Sequence, residues 1–242
     1  MNLDILINDS LNVLEKLLSM TEKPLIAYSG GKDAIVVSHI ASQMGLKDAV
    51  CETSFYFEKQ LCSVKKLSNL LNLNTTYYDT QGWEWLKKNK DIVFTSDTKK
   101  RSWTFSVRQQ KTVKNHAKKF GYDSIIFGRR KDENCVKDTI YKTRDYISCH
   151  PLANWKKENI WEYFARHKIP IPYIYSTKFG LLEGNAPFYT LNKKYVGTIE
   201  QCWEIVSSID PRYNSSCLEE HYINREESND VKPDWQTKLA ED

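Results

Sequence analysis

The feature that most restricts how this chain can fold is a pair of glycines wedged between two periodic segments. Pro24-Leu25-Ile26-Ala27-Tyr28 is an apolar run of strand length, and Ser29-Gly30-Gly31-Lys32-Asp33 follows it at once. Ile35, Val36, Ile40, Ala41 and Met44 then recur at helical spacing, and Gly45 falls where a left-handed helix cap belongs. A strand that runs through glycines into a helix is the first part of a crossover unit, because parallel strands cannot be closed by a tight hairpin.

The alternation continues along the chain. Ala49-Val50-Cys51 reads as a second strand, 59–72 as a helix with Leu61, Val64, Leu67 and Leu71 inward, and Thr75 to Tyr78 as a third strand. A less regular stretch containing Trp83, Trp85 and Trp103 leads to a helix over 105–120 that ends at Gly121, and Ser124 to Gly128 is the fourth strand. Tyr146 to Leu152 is expected as the fifth, and Lys157 to His167 as a helix with Ile160, Trp161 and Phe164 inward. Ahead of the sheet, Leu11, Leu14, Leu17 and Leu18 place a helix over 10–20 with Ser10 as its cap.

The expected fold is therefore α/β: a doubly wound, mainly parallel five-stranded sheet with helices on both faces. One domain is expected over 1–206. The polar segment 207–242, with Glu226-Glu227-Ser228-Asn229-Asp230, is expected to be a partly mobile tail.

Composition removes several alternatives. With 40% hydrophobic residues and only 9 Gly and 7 Pro, the chain is neither collagen-like nor of low complexity. Its net charge of +4 is the small difference between 35 basic and 31 acidic side chains, so it implies neither nucleic acid nor an anionic membrane. No stretch approaches the roughly 18 apolar residues of a membrane helix, and Met1 to Ile5 carries no leader pattern, so a cytoplasmic protein is expected. Cys51, Cys62, Cys135, Cys149, Cys202 and Cys217 form no metal-type spacing and read as reduced thiols.

The glycine loop carries the chemistry. A strand that ends in Ser29-Gly30-Gly31-Lys32-Asp33 brings backbone N–H groups to a helix start, where the dipole and the unpaired donors favour an anion. Gly30 and Gly31 let the backbone wrap a pyrophosphate, Ser29 can donate its hydroxyl, and Lys32 supplies a positive charge. Asp33 is a candidate ligand for Mg²⁺, and equally a helix-start carboxylate. Gly128-Arg129-Arg130-Lys131-Asp132-Glu133 leaves the fourth strand at the same sheet edge, and the planar forks of Arg129 and Arg130 suit phosphate.

Ser29 to Ala34 resembles the PP-motif S-G-G-x-D-S of the adenine nucleotide α-hydrolase superfamily, with Ala34 in place of the final Ser. Gly128 to Glu133 resembles the G-x-R-R-x-D/E element of its phosphoadenosine phosphosulfate (PAPS) reductase branch, which includes FAD synthetases and DNA phosphorothioation sulfurtransferases. His150-Pro151-Leu152-Ala153-Asn154-Trp155, then Ile160-Trp161-Glu162-Tyr163 and Ile169-Pro170, are similar to that branch's P-L-x-x-W and W-x-Y segments and read as packing. The branch's D-T-G-x-x-F/Y-P-E-T element corresponds to Glu52-Thr53-Ser54-Phe55-Tyr56-Phe57-Glu58-Lys59-Gln60, with Thr53 retained.

The resemblance implies a PP-loop enzyme that binds ATP or a related adenine nucleotide along Tyr28 to Ala34, Thr53, Gly128, Arg129 and Arg130. Lys32, Asp33 and Arg130 are its candidate catalytic residues, with Mg²⁺ at Asp33. The implied reaction is cleavage between the α and β phosphates to adenylylate an acceptor for sulfur or nitrogen transfer. The basic residues Arg108, Lys111, Lys114, Lys118 and Lys119 leave nucleic acid open as that acceptor, and a homo-oligomer is also compatible.

Two other readings compete. A sulfonucleotide reductase needs a C-terminal Cys in an E-C-G-I/L-H context, and Cys217 stands instead in Ser216-Cys217-Leu218-Glu219-Glu220-His221. An iron–sulfur cluster is not expected, because Arg101-Ser102-Trp103-Thr104 occupies the region of its cysteine pair. The other reading is a nucleotide-sensing or partner-binding module that has lost chemistry.

Overall fold

Strand β1 (Pro24–Ala27) lies inside a six-stranded sheet whose order is β3-β2-β1-β4-β6-β5. The other strands are β2 (Asp48–Glu52), β3 (Asn74–Tyr78), β4 (Ser124–Phe127), β5 (Ile140–Lys142) and β6 (Ile147–Cys149). The computed structural model describes residues 2–54, 56, 58–80, 108–133, 136 and 138–175. The expected tail, its boundary at 206, the irregular stretch with Trp83, Trp85 and Trp103, and Cys135, Cys202 and Cys217 lie outside the described residues.

β1 pairs in parallel with β2 (Ile26 opposite Ala49) and with β4 (Leu25 opposite Ile125, Ala27 opposite Phe127), and β4 pairs in parallel with β6. Leu25, Ile26, Ile125 and Ile126 are all buried, as strands covered on both faces must be. Among the described residues the α-helices are α1 (Leu3–Leu18), α2 (Lys32–Gln43), α3 (Glu58–Leu70), α4 (Arg108–Phe120) and α5 (Lys157–Arg166). The α/β, mainly parallel architecture agrees with the sequence.

Three details differ. The sheet has six strands instead of five, because the expected fifth strand shortens to β6 and gains an antiparallel partner, β5. Their hairpin turn is held by Thr143, whose hydroxyl donates to the Tyr146 carbonyl (2.6 Å) and accepts the Tyr146 N–H (3.1 Å). Three residues in a polar stretch carry no alternation long enough to announce a strand. Helix α1 begins at Leu3, capped by the Asn2 side chain on the Asp4 N–H (2.9 Å), not at Ser10. Ser10 is buried mid-helix, on the stripe Leu3, Leu6, Leu14 and Leu17. In α5 Ile160 and Phe164 are buried as expected, but Tyr163 is buried with them, whereas Trp161 is only half-buried.

The chain divides into two compact units. The first comprises 1–51, 63–76 and 112–172; the second comprises 52–62, 77–111 and 173–242. Among the described residues no helix is long and apolar enough to cross a membrane.

Candidate functional site

The site of the first unit starts at the end of β1. Tyr28 continues that strand's bonding, its N–H donating to the Val50 carbonyl (3.0 Å), and its buried hydroxyl donates to the Val64 carbonyl on α3 (3.0 Å). Tyr28 therefore ties the loop to α3. Gly30 then turns the chain with φ +64, and a Cβ there would stand 2.2 Å from Val64 Cγ2. Only glycine tolerates both the left-handed backbone and the helix pressed against it.

Gly31 is the N-cap of α2 and supplies no side-chain cap; its N–H reaches the Ser29 hydroxyl oxygen at 3.4 Å. The helix thus opens without a side-chain cap from its N-cap residue, and Lys32, Asp33 and Ala34 form its first turn. The loop also sits where strand order reverses, β2 and β3 lying to one side of β1 and β4 to the other. Open α/β sheets leave their crevice at such a point, beyond the carboxyl ends of the strands.

β4 delivers the second piece. At Gly128 a Cβ would lie 2.6 Å from the Asp33 carbonyl carbon and oxygen and 2.7 Å from the Ala34 nitrogen. The motif glycine is there because the strand end packs on the first turn of α2. That contact brings Arg130 to Asp33.

Charges meet in a row. Lys32 Nζ is 2.7 Å from Asp33 Oδ2, and Arg130 Nε is 2.7 Å from Asp33 Oδ1. The latter is an ion pair without hydrogen-bond alignment. The terminal nitrogens of Arg130 reach Asp132 Oδ2 (2.6 Å) and Glu133 Oε1 (2.7 Å). Lys32 and Arg130 are 2% and 3% exposed, so neither charge is a surface ornament. Burial works against the Arg130 charge, yet Asp33, Glu133 and Asp132 outweigh it and hold the guanidinium pKa above its ordinary value.

Arg129 turns elsewhere. Its guanidinium carbon stands 4.5 Å over the Phe127 ring, Phe127 stacks on His150 (5.5 Å), and Tyr141 stacks on His150 as well (5.4 Å). Burial, and then the Arg129 charge, push the His150 pKa down to about 4, so the imidazole is neutral at pH 7.

The turn that follows Arg130 is a 3-10 helix, Lys131–Glu133, and the P-L-x-x-W segment fixes it. The Lys131 N–H donates to the Ala153 carbonyl and its Nζ to Asn154 Oδ1, both at 2.9 Å. Behind that, Trp155 Nε1 donates to Ser10 Oγ (3.0 Å), and Ser10 Oγ is within bonding distance of the Pro151 and Leu6 carbonyls (2.9 Å each). The segment is packing, as expected, and what it buttresses is the arginine turn.

Thr53 belongs to the second unit, where its N–H donates to the Tyr78 carbonyl (2.8 Å). Beside it is a residue that the sequence offers only as the first position of the D-T-G-x-x-F/Y-P-E-T element, with no role of its own. Glu52 is buried at the end of β2, and its Oε1 accepts from the Ser54 N–H (3.1 Å) and the Thr80 hydroxyl (3.0 Å). Burial raises its pKa, and those hydrogen bonds offset only part of the shift. An acid closing the apolar run Ala49-Val50-Cys51 was the available signal.

Asp33 does not fit a directly bound Mg²⁺ in this arrangement. A hard cation takes oxygen ligands, and both carboxylate oxygens of Asp33 face cationic nitrogens at 2.7 Å. Among the described residues no group of three or more His, Cys, Asp or Glu could hold a metal.

A strand, a glycine turn and a glycine-started helix at the reversal of strand order define the class: an α/β protein with a PP-type loop. The chain belongs to the phosphoadenosine phosphosulfate reductase domain family, whose model matches residues 23–188. Curated relatives include the sulfate adenylyltransferase subunit 2 of Streptomyces lavendulae, 22% identical over 209 residues (72% of this chain, 63% of the relative). That of Sulfurovum sp. is also 22% identical (70% and 65%), so the chain spans just under two thirds of the length of these two relatives.

Two solved structures share the fold. The phosphate complex of PAPS reductase from Candida auris matches with TM-score 0.54 and 19% identity, over 67% of this chain and 81% of that one. NMN synthetase from Francisella tularensis matches with TM-score 0.55 and 17% identity, over 97% and 99%.

Proposed function

We propose that the chain binds ATP, or a closely related adenine nucleotide, with its phosphates on the turn from Ser29 to Ala34, and transfers the adenylyl group to an acceptor. The observation that carries this reading is the buried Lys32 beside an uncapped helix start at the crevice of the sheet. Family membership supports it, as does the name of the sulfate adenylyltransferase relatives, which describes transfer of the same group.

In the proposed reaction an acceptor oxygen attacks the α phosphorus. The bond from that phosphorus to the bridging oxygen breaks, and pyrophosphate leaves with the electron pair. Catalysis of this kind rests on positioning and on charge stabilisation in a site shielded from water. Gly30 and Gly31 let the backbone approach the leaving group, and Lys32 meets its growing charge. Asp33 holds Lys32 in place, and Arg130 holds Asp33. Ala34 removes one hydroxyl that the family motif offers. The steps given are those of the chain's own side chains. ATP is the substrate of such an enzyme in the cytoplasm, which is where we place it.

The test is release of pyrophosphate and formation of an adenylylated product from ATP, with sulfate, amides and nucleic acids offered as acceptors. Lys32→Met should lower the rate by about 100-fold, the scale of removing one preorganised donor from a developing charge. Equal rates in wild type, Lys32→Met and Asp33→Asn would rule out chemistry at this loop and leave a nucleotide-sensing module.

A further inference from the structure

Arg130 is not disposed as a phosphate clamp. A guanidinium that grips phosphate presents its two-nitrogen fork. Here the fork is spent on Asp132 and Glu133, and only the Nε edge faces the loop, at Asp33. Asp132 and Glu133 are 40% and 33% exposed, so they do not fill the core, and yet each meets the 3% exposed Arg130 at 2.6 to 2.7 Å. Both sit on one turn that Lys131 pins to Ala153 and Asn154. Two carboxylates beside a loop meant for a polyanion are costly in electrostatic terms, since among the described residues Asp33, Asp132 and Glu133 all stand against Lys32 and Arg130.

We propose that Asp132 and Glu133 are positioning residues of the phosphate loop: they hold Arg130 edge-on against Asp33, which fixes the row Lys32, Asp33, Arg130 before a nucleotide arrives. The inference rests on the proposed nucleotide role of that loop. It makes an unusual demand on the sign of a mutation. If the two acids acted only through their charge, neutralising them would tighten the binding of an anion. If they act by holding Arg130, neutralising them weakens it, because a freed fork lets Asp33 and Lys32 leave their positions.

The experiment measures dissociation constants of the full chain for ATP and for inorganic pyrophosphate by calorimetry, with the melting temperature of each variant alongside. Asp132→Asn and Glu133→Gln should each bind both probes several-fold more weakly, about tenfold together, while still folding. Added to Arg130→Met, the Glu133→Gln change should alter binding less than twofold, because residues that act through one partner do not add. Should Arg130→Met fail to fold, Asp33→Asn serves as the second background with the same expectation. Tighter or unchanged binding in the single variants, or the same weakening in both backgrounds, overturns the proposal. A wild-type protein that binds neither ATP nor pyrophosphate overturns the nucleotide reading first, and the positioning role with it.

Discussion

Gly30→Ala tests how the loop is built, and its cost can be worked out from two separate strains. The backbone at Gly30 has φ +64, where a residue with a Cβ loses about 1–2 kcal/mol. The new methyl would also stand 2.2, 2.9 and 3.0 Å from Cγ2, Cγ1 and Cβ of Val64. No rotation of Val64 clears all three atoms, so α3 must shift, an overpacking strain of about 1–3 kcal/mol.

Together these amount to roughly 3 kcal/mol, which for a chain of this size lowers Tm by roughly 6–12 °C. Urea unfolding of Gly30→Ala, Val64→Ala and the double variant separates the two strains. Shortening Val64 relieves the clash and leaves the φ strain, so the double variant should be at least about 1 kcal/mol more stable than the sum of the singles implies. A Gly30→Ala protein within about 0.5 kcal/mol of wild type, or a strictly additive pair, would refute this account of why the loop needs glycine.

Ser10→Ala removes the partner of Trp155 Nε1 and of the Pro151 carbonyl, and should cost about 1–3 kcal/mol in urea unfolding, although the hydroxyl lies far along the chain from the loop. Stability should fall as the solution is acidified. Burial holds His150 and His116 down to about 4, so from about pH 6.5 downward the unfolded chain takes up protons that the folded chain refuses; the loss is about 2 kcal/mol for each by pH 5. His39 and His167, also lowered by burial, add in the same sense, while the raised Glu52 acts in the opposite one. The pH slope of the urea midpoint should flatten in His150→Phe, and an unchanged slope would contradict the assignment. Cys217→Ser should leave pyrophosphate release intact, whereas its loss would favour the thiol-dependent reductase.

The sequence made the strand, glycine turn and helix legible because each rests on local rules: an apolar run, residues without a Cβ, and a 3.6-residue period. β5 and the start of α1 escaped for physical reasons. Ile140 to Lys142 is a strand because β6 lies beside it, and pairing with a distant neighbour leaves no local pattern. Ser10 resembles a cap by composition, but its hydroxyl is consumed by Trp155 and Pro151, a contact across more than half the chain.

In the site, the glycines, Lys32 and Asp33 could be named from the motif. Which way Arg129 and Arg130 turn could not, since it depends on the Phe127 ring and on the two acids that follow.

The short strand β5 has a bearing on how the protein behaves in a crowded solution. A parallel sheet left open at its side offers a row of amides to any passing chain, and that is how folded proteins start to stick together. Among the described residues, the side beyond β6 is closed by three residues running the other way, ending in the exposed Lys142. So brief a border, tipped with a charge, gives a second molecule little to zip onto.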